Sequence, residues 1–152
     1  MAKPIRTVRV AAMDYLSRRE HASHELFQKL IAKREYEASE ISEALARLSD
    51  QGLLSDERFT EAFINQRISK GSGPLKIRTE LRQKGVSDAM IEAFLEQHNA
   101  IWYESALAVR IRKYGSERPS DLKETARQTR FLQSRGFSTE HIRYALRNDD
   151  EN

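Results

Sequence analysis

The sequence contains no cysteine, which excludes disulfide bonds, thiolate metal sites and a cysteine nucleophile. Glycine and proline are scarce, with six and three residues in a chain of 152. No apolar run approaches the roughly 18 residues that a membrane-spanning helix needs. The N-terminal stretch MAKPIRTVRV lacks the apolar core and the cleavage site of a signal peptide. We therefore expect a cytoplasmic protein with no membrane association.

Groups that could perform chemistry are thinly spread. The histidines are scattered and no acidic cluster accompanies them: His21, His24, His98 and His141. Glu37, Glu40 and Glu43 share one helical face, which is typical of solvent exposure, whereas an oxygen-only calcium site needs a glycine-containing loop. Serines stand at predicted helix starts, and no histidine–aspartate arrangement supports any of them as a nucleophile. The sequence predicts no enzyme, no metal and no cofactor.

Charge is plentiful but unevenly distributed. The net charge is only +3. Residues 31–61 carry eight acidic and four basic side chains, whereas residues 67–84 carry six basic side chains and the single acid Glu80. Residues 110–147 carry ten basic and four acidic side chains. Such segregation is expected of a protein that meets polyanions or an acidic partner, although an ordinary solvated helix surface is the competing interpretation.

Helix formers dominate, and apolar residues recur at helical spacing, as in Leu26, Leu30 and Ile31, and again in Ile41, Leu45 and Leu48. Ser23, Ser55, Ser87 and Ser138 signal helix starts, and glycines signal helix ends. The pattern predicts an all-α protein with nine helices at residues 5–19, 23–34, 38–51, 55–70, 74–84, 87–98, 99–114, 119–135 and 138–148.

The chain also repeats itself. LRQKGVSDAMIEAFL (81–95) aligns without a gap to LQSRGFSTEHIRYAL (132–146), 51 residues later. The stretch 29–45 matches more loosely, with one extra residue and no glycine. A period near 50 with three helices per unit predicts three tandem three-helix repeats that form an elongated, curved body. We expect the repeats at 1–53, 54–98 and 99–148, followed by an acidic tail at 149–152.

The glycine-rich stretch KGSGP (70–74) raises the question of a phosphate-binding loop. A P-loop ends in Gly-Lys-Ser/Thr, and a dinucleotide fold needs G-x-G-x-x-G after a strand; neither is present. Gly71 instead suits the left-handed end of one helix, and Pro74 suits the first turn of the next. We predict a turn between two helices, and no ATP binding.

The helix after this turn has an apolar face and a basic face. Ile77 and Leu81 are four residues apart and predicted to be core, while Arg78 and Arg82 share a neighbouring face. Like charges at this spacing weaken a helix slightly. Their presence indicates either a polyanionic partner or a solvated surface at which the small loss of helix stability is tolerated.

Aromatic side chains are candidate base-stacking platforms, because single-strand binders use them. Most align with apolar residues of the other repeats, which favours core packing: Phe59, Phe63, Trp102, Tyr103, Phe131 and Phe137. Tyr114, beside Lys113 and Gly115, is the exception that we expect to be exposed.

The stretch GLLSDERFTEAFINQRISKGSGPLKIRTELRQKGVS (52–87) resembles the signature region of the RecX family. The matching residues include Gly52, Leu53, Asp56, Arg58, Phe59, Arg67, Lys70, Gly71, Gly73, Pro74, Ile77, Leu81, Lys84 and Gly85. The sequence departs from the family pattern at Ser55 and Ser72. The resemblance extends over essentially the whole chain, including His21 to Leu30 and the late RFLQSRGFS (130–138).

The resemblance implies a regulatory protein that acts without catalysis. Such a protein is expected to lie in the groove of the RecA recombinase filament on single-stranded DNA and to inhibit its ATPase, strand-exchange and coprotease activities. We expect a monomer. The alternative is a helical module that binds single- or double-stranded DNA directly through phosphate contacts. The predicted partner- or DNA-binding residues are basic: Arg67, Lys70, Lys76, Arg78, Arg82, Lys84, Arg110, Lys113, Arg127 and Arg130.

Overall fold

The computed structural model describes residues 5–147. Over that range the chain forms nine α-helices and no strand, which confirms the predicted all-α class. The helices are α1 Val8–Leu16, α2 Ser23–Ile31, α3 Ala38–Asp50, α4 Asp56–Ser69, α5 Pro74–Gln83, α6 Asp88–Gln97, α7 Ile101–Tyr114, α8 Leu122–Ser134 and α9 Thr139–Arg147. The predicted acidic tail and the last residue of the ninth predicted helix lie outside the described residues.

Two helices start three residues later than predicted, because side chains cap them further along the chain. Thr7 accepts a hydrogen bond from the Val10 amide, so α1 begins at Val8 and not at residue 5. Asp121 accepts from the Glu124 amide and delays α8 to Leu122, three residues after the predicted start. In both cases the capping oxygen satisfies an amide that has no partner within the helix.

Three of the four predicted serine caps are confirmed. The hydroxyls of Ser55, Ser87 and Ser138 accept from the amides of the residues three positions later, at 3.1, 3.3 and 3.4 Å. The predicted helix start at Ser23 is also confirmed, but Ser23 is not a capping residue. Ser23 is already the first residue of α2, and its amide donates to the carboxylate of Asp56 at 2.7 Å.

The second helix of each repeat ends in the same way. Gly85 and Gly136, 51 residues apart, have φ of +81° and +94°, and each amide donates to the carbonyl three residues earlier. The first repeat has no glycine here, and Arg34, another 51 residues back, takes the left-handed conformation itself, with φ of +59°. In the first repeat an arginine therefore adopts the left-handed turn geometry for which the other repeats have glycine.

The described chain divides into two compact units, each combining parts of two predicted repeats. The first unit comprises Met1–Ala62 and Leu81–Met90. Its core lies where α1, α2 and α3 meet, and Leu26, Leu30, Ile41 and Leu48 are fully buried there. The predicted core positions are therefore confirmed, except that Ile31 is only half-buried.

The second unit comprises Phe63–Glu80 and Ile91–Asn152. Within it α7 packs along α9, and α8 covers both around a core of Ala106, Leu132, Phe137, Ile142 and Ala145. Of the aromatic residues predicted to be core, Phe59, Phe63, Trp102 and Phe137 are buried, whereas Tyr103 and Phe131 are half-buried.

The KGSGP stretch is the predicted turn. Gly71 has φ of +87°, and Pro74 opens α5. The second glycine has a different reason: a Cβ on Gly73 would lie 2.5 Å from the backbone of Gly136. The Gly73 and Leu75 amides donate to the carbonyls of Arg135 and Gly136 at 2.7 and 2.9 Å. The turn therefore docks, backbone against backbone, on the turn that ends α8.

Each unit has a close approach between a glycine at the end of one helix and the start of another. A Cβ on Gly85 would lie 2.4 Å from the Cβ of His24, close to the start of α2. A Cβ on Gly136 would lie 2.4 Å from that of Lys76, close to the start of α5. In each unit the glycine that ends one second helix thus touches the beginning of the second helix of the preceding repeat, as expected for stacked repeats.

Candidate functional site

Half of the predicted basic residues are in ion pairs. The pairs and their N–O distances are Arg67–Glu80 at 2.9 Å, Arg78–Glu92 at 2.5 Å, Arg82–Asp88 at 2.8 Å, Lys84–Glu25 at 2.9 Å and Arg127–Glu124 at 3.3 Å. Arg78 and Arg82 both reach α6, so their shared face is matched by acids within the protein. These side chains are partly neutralised, which the sequence spacing did not reveal.

The prediction is wrong for Arg110, which is fully buried. Its guanidinium donates to the Ala145 carbonyl at 2.7 Å and to the Gly115 and Glu117 carbonyls at 3.3 and 3.0 Å. Burial lowers the pKa of this side chain. Arg110 therefore ties the end of α9 to the end of α7 and is removed from any binding surface.

A groove in the second unit is lined mainly by basic side chains. It is lined by five basic side chains, two serines and one acid: Arg67, Lys70, Lys76, Arg112, Arg135, Ser69, Ser72 and Glu80. We call it the cationic groove. Its only acid, Glu80, is paired with Arg67. Within residues 5–147, Lys70, Lys76, Arg112 and Arg135 have no carboxylate within 4 Å.

Sequence reasoning missed Arg112 and Arg135. Arg135 corresponds to Lys84 in the 51-residue register, so the repeat itself carried that signal. Arg112 lies two residues after Arg110, which places it on a different face of α7. Which of the two arginines is exposed depends on the packing of α7 against α9, which buries Arg110 and leaves Arg112 exposed.

A smaller cavity adjoins the groove and shares Lys70, Arg112 and Arg135 with it. The cavity, here called the Phe131 pocket, measures about 160 Å³, and its apolar walls are Val109 and Phe131. The Lys113 ammonium and the Arg135 guanidinium lie 5.1 and 5.2 Å from the Phe131 ring centroid, at cation–π distance.

Tyr114 closes this aromatic cluster. Its ring meets Phe131 edge-on with centroids 5.5 Å apart, and the Arg127 guanidinium lies 5.2 Å from its centroid. The expectation of an exposed tyrosine is therefore only partly met, because Tyr114 is half-buried. Arg130 is exposed on α8 and does not line the groove or the pocket.

A second charged cluster, in the first unit, surrounds a buried carboxylate. Both Glu25 oxygens face Arg19, at 3.1 and 2.7 Å, and one also accepts from Lys84 at 2.9 Å. Burial on its own would raise the pKa of Glu25, but the hydrogen bonds and charges of Arg19 and Lys84 outweigh it and lower the pKa to about 2. This cluster joins α2 to the end of α5.

His21 lies against the same cluster. Burial lowers its pKa, the Arg19 carbonyl opposes that effect, and the Arg19 and Lys29 charges lower the pKa further. The Lys29 ammonium lies 3.0 Å from His21 Nε2. A neutral imidazole accepts from that ammonium, so the arrangement favours neutral His21.

One serine–histidine pair superficially resembles a nucleophile and its base. Ser138 Oγ lies 2.9 Å from His141 Nδ1, but the same hydroxyl caps α9 by accepting from the His141 amide. Across residues 5–147 no carboxylate is hydrogen-bonded to His141, and no cluster of three metal-ligating side chains occurs. The pair is accounted for as a helix cap.

The described helices include none with the length and apolar character required to cross a bilayer. The architecture defines a class of protein: tandem three-helix repeats, with cations of the second and third repeats gathered at one groove. Family models described as the first, second and third three-helix domains of RecX match residues 9–48, 55–95 and 101–146. The chain belongs to the RecX family, as its sequence resemblance indicated.

Individual relatives agree. The regulatory protein RecX of Halorhodospira halophila is 43% identical over 144 residues, which cover 95% of this chain and 89% of that protein. That of Ectopseudomonas mendocina is 43% identical over 144 residues and covers 95% of each. The crystal structure of RecX from Lactobacillus salivarius superposes with a TM-score of 0.78 at 23% identity, covering 92% of both chains. At that identity the structural match supports the fold alone.

Proposed function

We propose that this protein binds the RecA recombinase filament on single-stranded DNA and inhibits its ATPase, strand-exchange and coprotease activities. The observation that carries the proposal is the match of all three RecX domain models, in order, along one chain. The relatives bear the name regulatory protein, and the cationic groove supplies a surface for a negatively charged partner.

The proposed mechanism is binding without catalysis. A regulator of this kind changes an activity only by binding one state of its target more tightly than another. The proposed contacts are the basic residues of the second and third repeats that lie outside the core, because they can bind an anionic partner and their replacement leaves the core undisturbed. Arg110 is excluded from this set by its burial.

The test is a RecA ATPase assay on single-stranded DNA with increasing amounts of the protein. We expect inhibition by the wild type and weaker inhibition by the double variant Arg78→Ala/Arg82→Ala. Each arginine makes one ion pair at the surface, and such pairs contribute about 0.2–1 kcal/mol, so the melting temperature should change little.

A matched control removes two positive charges elsewhere, at Arg9 and Arg18 on or beside α1. Full inhibition by the Arg78/Arg82 variant would reject that face as a contact, and an inert wild type would reject the proposed function. ATP binding by the protein alone would contradict the interpretation of KGSGP as a simple turn.

The alternative function is direct DNA binding through phosphate contacts, and the cationic groove favours it specifically. The two functions differ in their dependence on salt and on recombinase. Binding dominated by phosphates weakens steeply as salt rises and proceeds on bare DNA. Filament binding through protein contacts requires RecA.

A further inference from the structure

We propose that the cationic groove and the Phe131 pocket together bind a short stretch of a single nucleic-acid strand. The phosphodiester backbone lies along Lys70, Lys76, Arg112 and Arg135, and one base enters the pocket against Val109 and Phe131. The inference deepens the alternative function above, since it names both the residues and the preferred form of the nucleic acid.

Four cations share the cationic groove with no acidic partner of their own within the described chain. Elsewhere in the described chain, arginines of the second repeat are matched by acids, as Arg78 is by Glu92 and Arg82 by Asp88. In the groove the sole acid is already bound to Arg67. Like charges held together raise the free energy of the folded protein unless an anion binds, so the groove is poised for a polyanion.

The Phe131 pocket has a size and a polarity that suit a planar base. A cavity of roughly 150 Å³ with apolar walls holds a benzene ring. The Phe131 pocket, at about 160 Å³, is comparable in size. It offers an aromatic ring and a valine in its walls, with the groove cations at its rim. A planar base has a stacking face that such a pocket can contact, and single-strand binders combine these elements.

The pairing of groove and pocket favours a nucleic acid over an acidic protein segment. An aspartate- or glutamate-rich segment would use the cations but has no planar apolar group to fill the pocket beside them. A duplex also falls short, because its bases are stacked and paired and their faces are not available. A single strand satisfies both sites at once.

The test measures fluorescence anisotropy of the full-length protein with a labelled oligothymidylate of about 12 nucleotides, within the usual site sizes. A strand of equal length whose sugars lack bases has the same phosphates and serves as the comparison. No recombinase is present, so a failure here leaves the filament proposal standing, and a failure of the ATPase assay leaves this one standing.

Two variants test the phosphate contacts and the base contact. Arg112→Ala removes an exposed groove cation and should weaken binding of both strands, lowering the slope of log affinity against log salt by about 0.7. Arg9→Ala, an exposed arginine on α1 in the first unit, is its matched control and should change neither quantity. Phe131→Leu keeps an apolar residue but removes the ring; it should weaken oligothymidylate binding about fivefold or more. It should leave the abasic strand and the salt slope unchanged.

Other outcomes overturn the proposal. If Arg112→Ala binds as Arg9→Ala does, the groove is not the phosphate site. If Phe131→Leu weakens both strands equally, no base occupies the pocket. If a polyglutamate peptide or a duplex of the same length competes as well as the single strand, the groove is a general anion surface. Circular dichroism melts of each variant ensure that an unfolded protein is not scored as weak binding.

Discussion

Glu25 illustrates how a single residue sets the acid stability of the first unit. Its side chain is 5% exposed and is held by Arg19, which precedes α2, and by Lys84, which follows α5. The folded pKa of about 2 lies below the usual 4.5. The unfolded state therefore binds the proton more readily, and stability falls as pH drops from about 4.5 to 2.

We predict that Glu25→Gln lowers the free energy of unfolding by about 3 kcal/mol at neutral pH and flattens its pH dependence between 4.5 and 2. Urea denaturation at a series of pH values measures both effects. Glu43→Gln, at an exposed pair with Arg47, is the control and should change stability by less than about 0.5 kcal/mol.

His21 causes a second loss of folding stability as the pH falls. Its folded pKa lies below the usual 6.5, so protonation favours the unfolded state as pH falls below that value. In Glu25→Gln the residual acid sensitivity should therefore begin below about pH 6.5. A variant whose stability is still as steep between pH 4.5 and 2 as that of the wild type would contradict the assignment to Glu25.

Arg34 occupies a turn position where the other repeats have glycine. A left-handed backbone costs an ordinary residue about 1–2 kcal/mol, and Arg34 is exposed with φ of +59°. We predict that Arg34→Gly raises the free energy of unfolding by about 1 kcal/mol, measured by urea denaturation. Arg34→Ala keeps the strained backbone and removes the same charge, so it should give no gain; equal stabilisation by both would show that charge, not conformation, matters.

At the scale of elements, α5 presents two faces with different roles. Lys76 and Glu80 line the cationic groove, whereas Leu75 and Arg78 line a separate cleft that also contains Glu92 and Trp102. Successive residues turn about 100° around a helix, so these two sets lie on roughly opposite sides. The sequence pattern found the basic character of α5 but treated it as a single surface.

Arg110 joins two helices, and its replacement should act on stability. The Ala145 carbonyl near the end of α9 would lose its guanidinium donor, while the Gly115 and Glu117 carbonyls are in an exposed loop that water can reach. We predict that Arg110→Met lowers the free energy of unfolding by about 2 kcal/mol. Arg112→Met, its exposed neighbour, should stay within about 0.5 kcal/mol. An Arg110→Met protein of normal stability that has lost inhibition would restore Arg110 as a contact.

Helix positions were predictable because apolar spacing, serine caps and glycine ends are local signals, and the ends at Gly71, Gly85 and Gly136 are as predicted. The site was less predictable. Whether Arg110 or Arg112 is exposed depends on how α7 packs on α9, and whether Arg78 is neutralised depends on Glu92, fourteen residues away. Such partners come from tertiary contacts, which periodicity does not encode.

At the scale of the molecule, stacking rests on a close approach between a glycine and a helix start that occurs once in each unit. Gly85 packs on His24 and Gly136 packs on Lys76, and both glycines occupy the same place in the repeat. Neither close approach leaves room for a side chain at the glycine. The Gly73 and Leu75 amides donate to the carbonyls of Arg135 and Gly136, so deleting the third repeat would also remove these acceptors.

This dependence affects how a partner that spans repeats is tested. A chain cut after Asn99 is expected to lose more inhibition than its missing contacts explain, because a second bound cluster raises the effective concentration of the first. Part of that loss would come from the start of α5, where the Gly73 and Leu75 amides lose their acceptors. The helicity of the shortened chain must therefore be compared with that of the full chain. Point variants in the intact chain isolate the contacts.

We predict that Lys113→Ala/Arg130→Ala in the third repeat and Arg78→Ala/Arg82→Ala in the second each raise the concentration needed for half-maximal inhibition of the RecA ATPase. Together they should raise it by about the product of the two factors, since sites that share no partner contribute additively in free energy. Arg9→Ala/Arg18→Ala, which also removes two charges, should leave the concentration unchanged. A third-repeat variant as potent as the wild type would mean that Lys113 and Arg130 do not contact the filament.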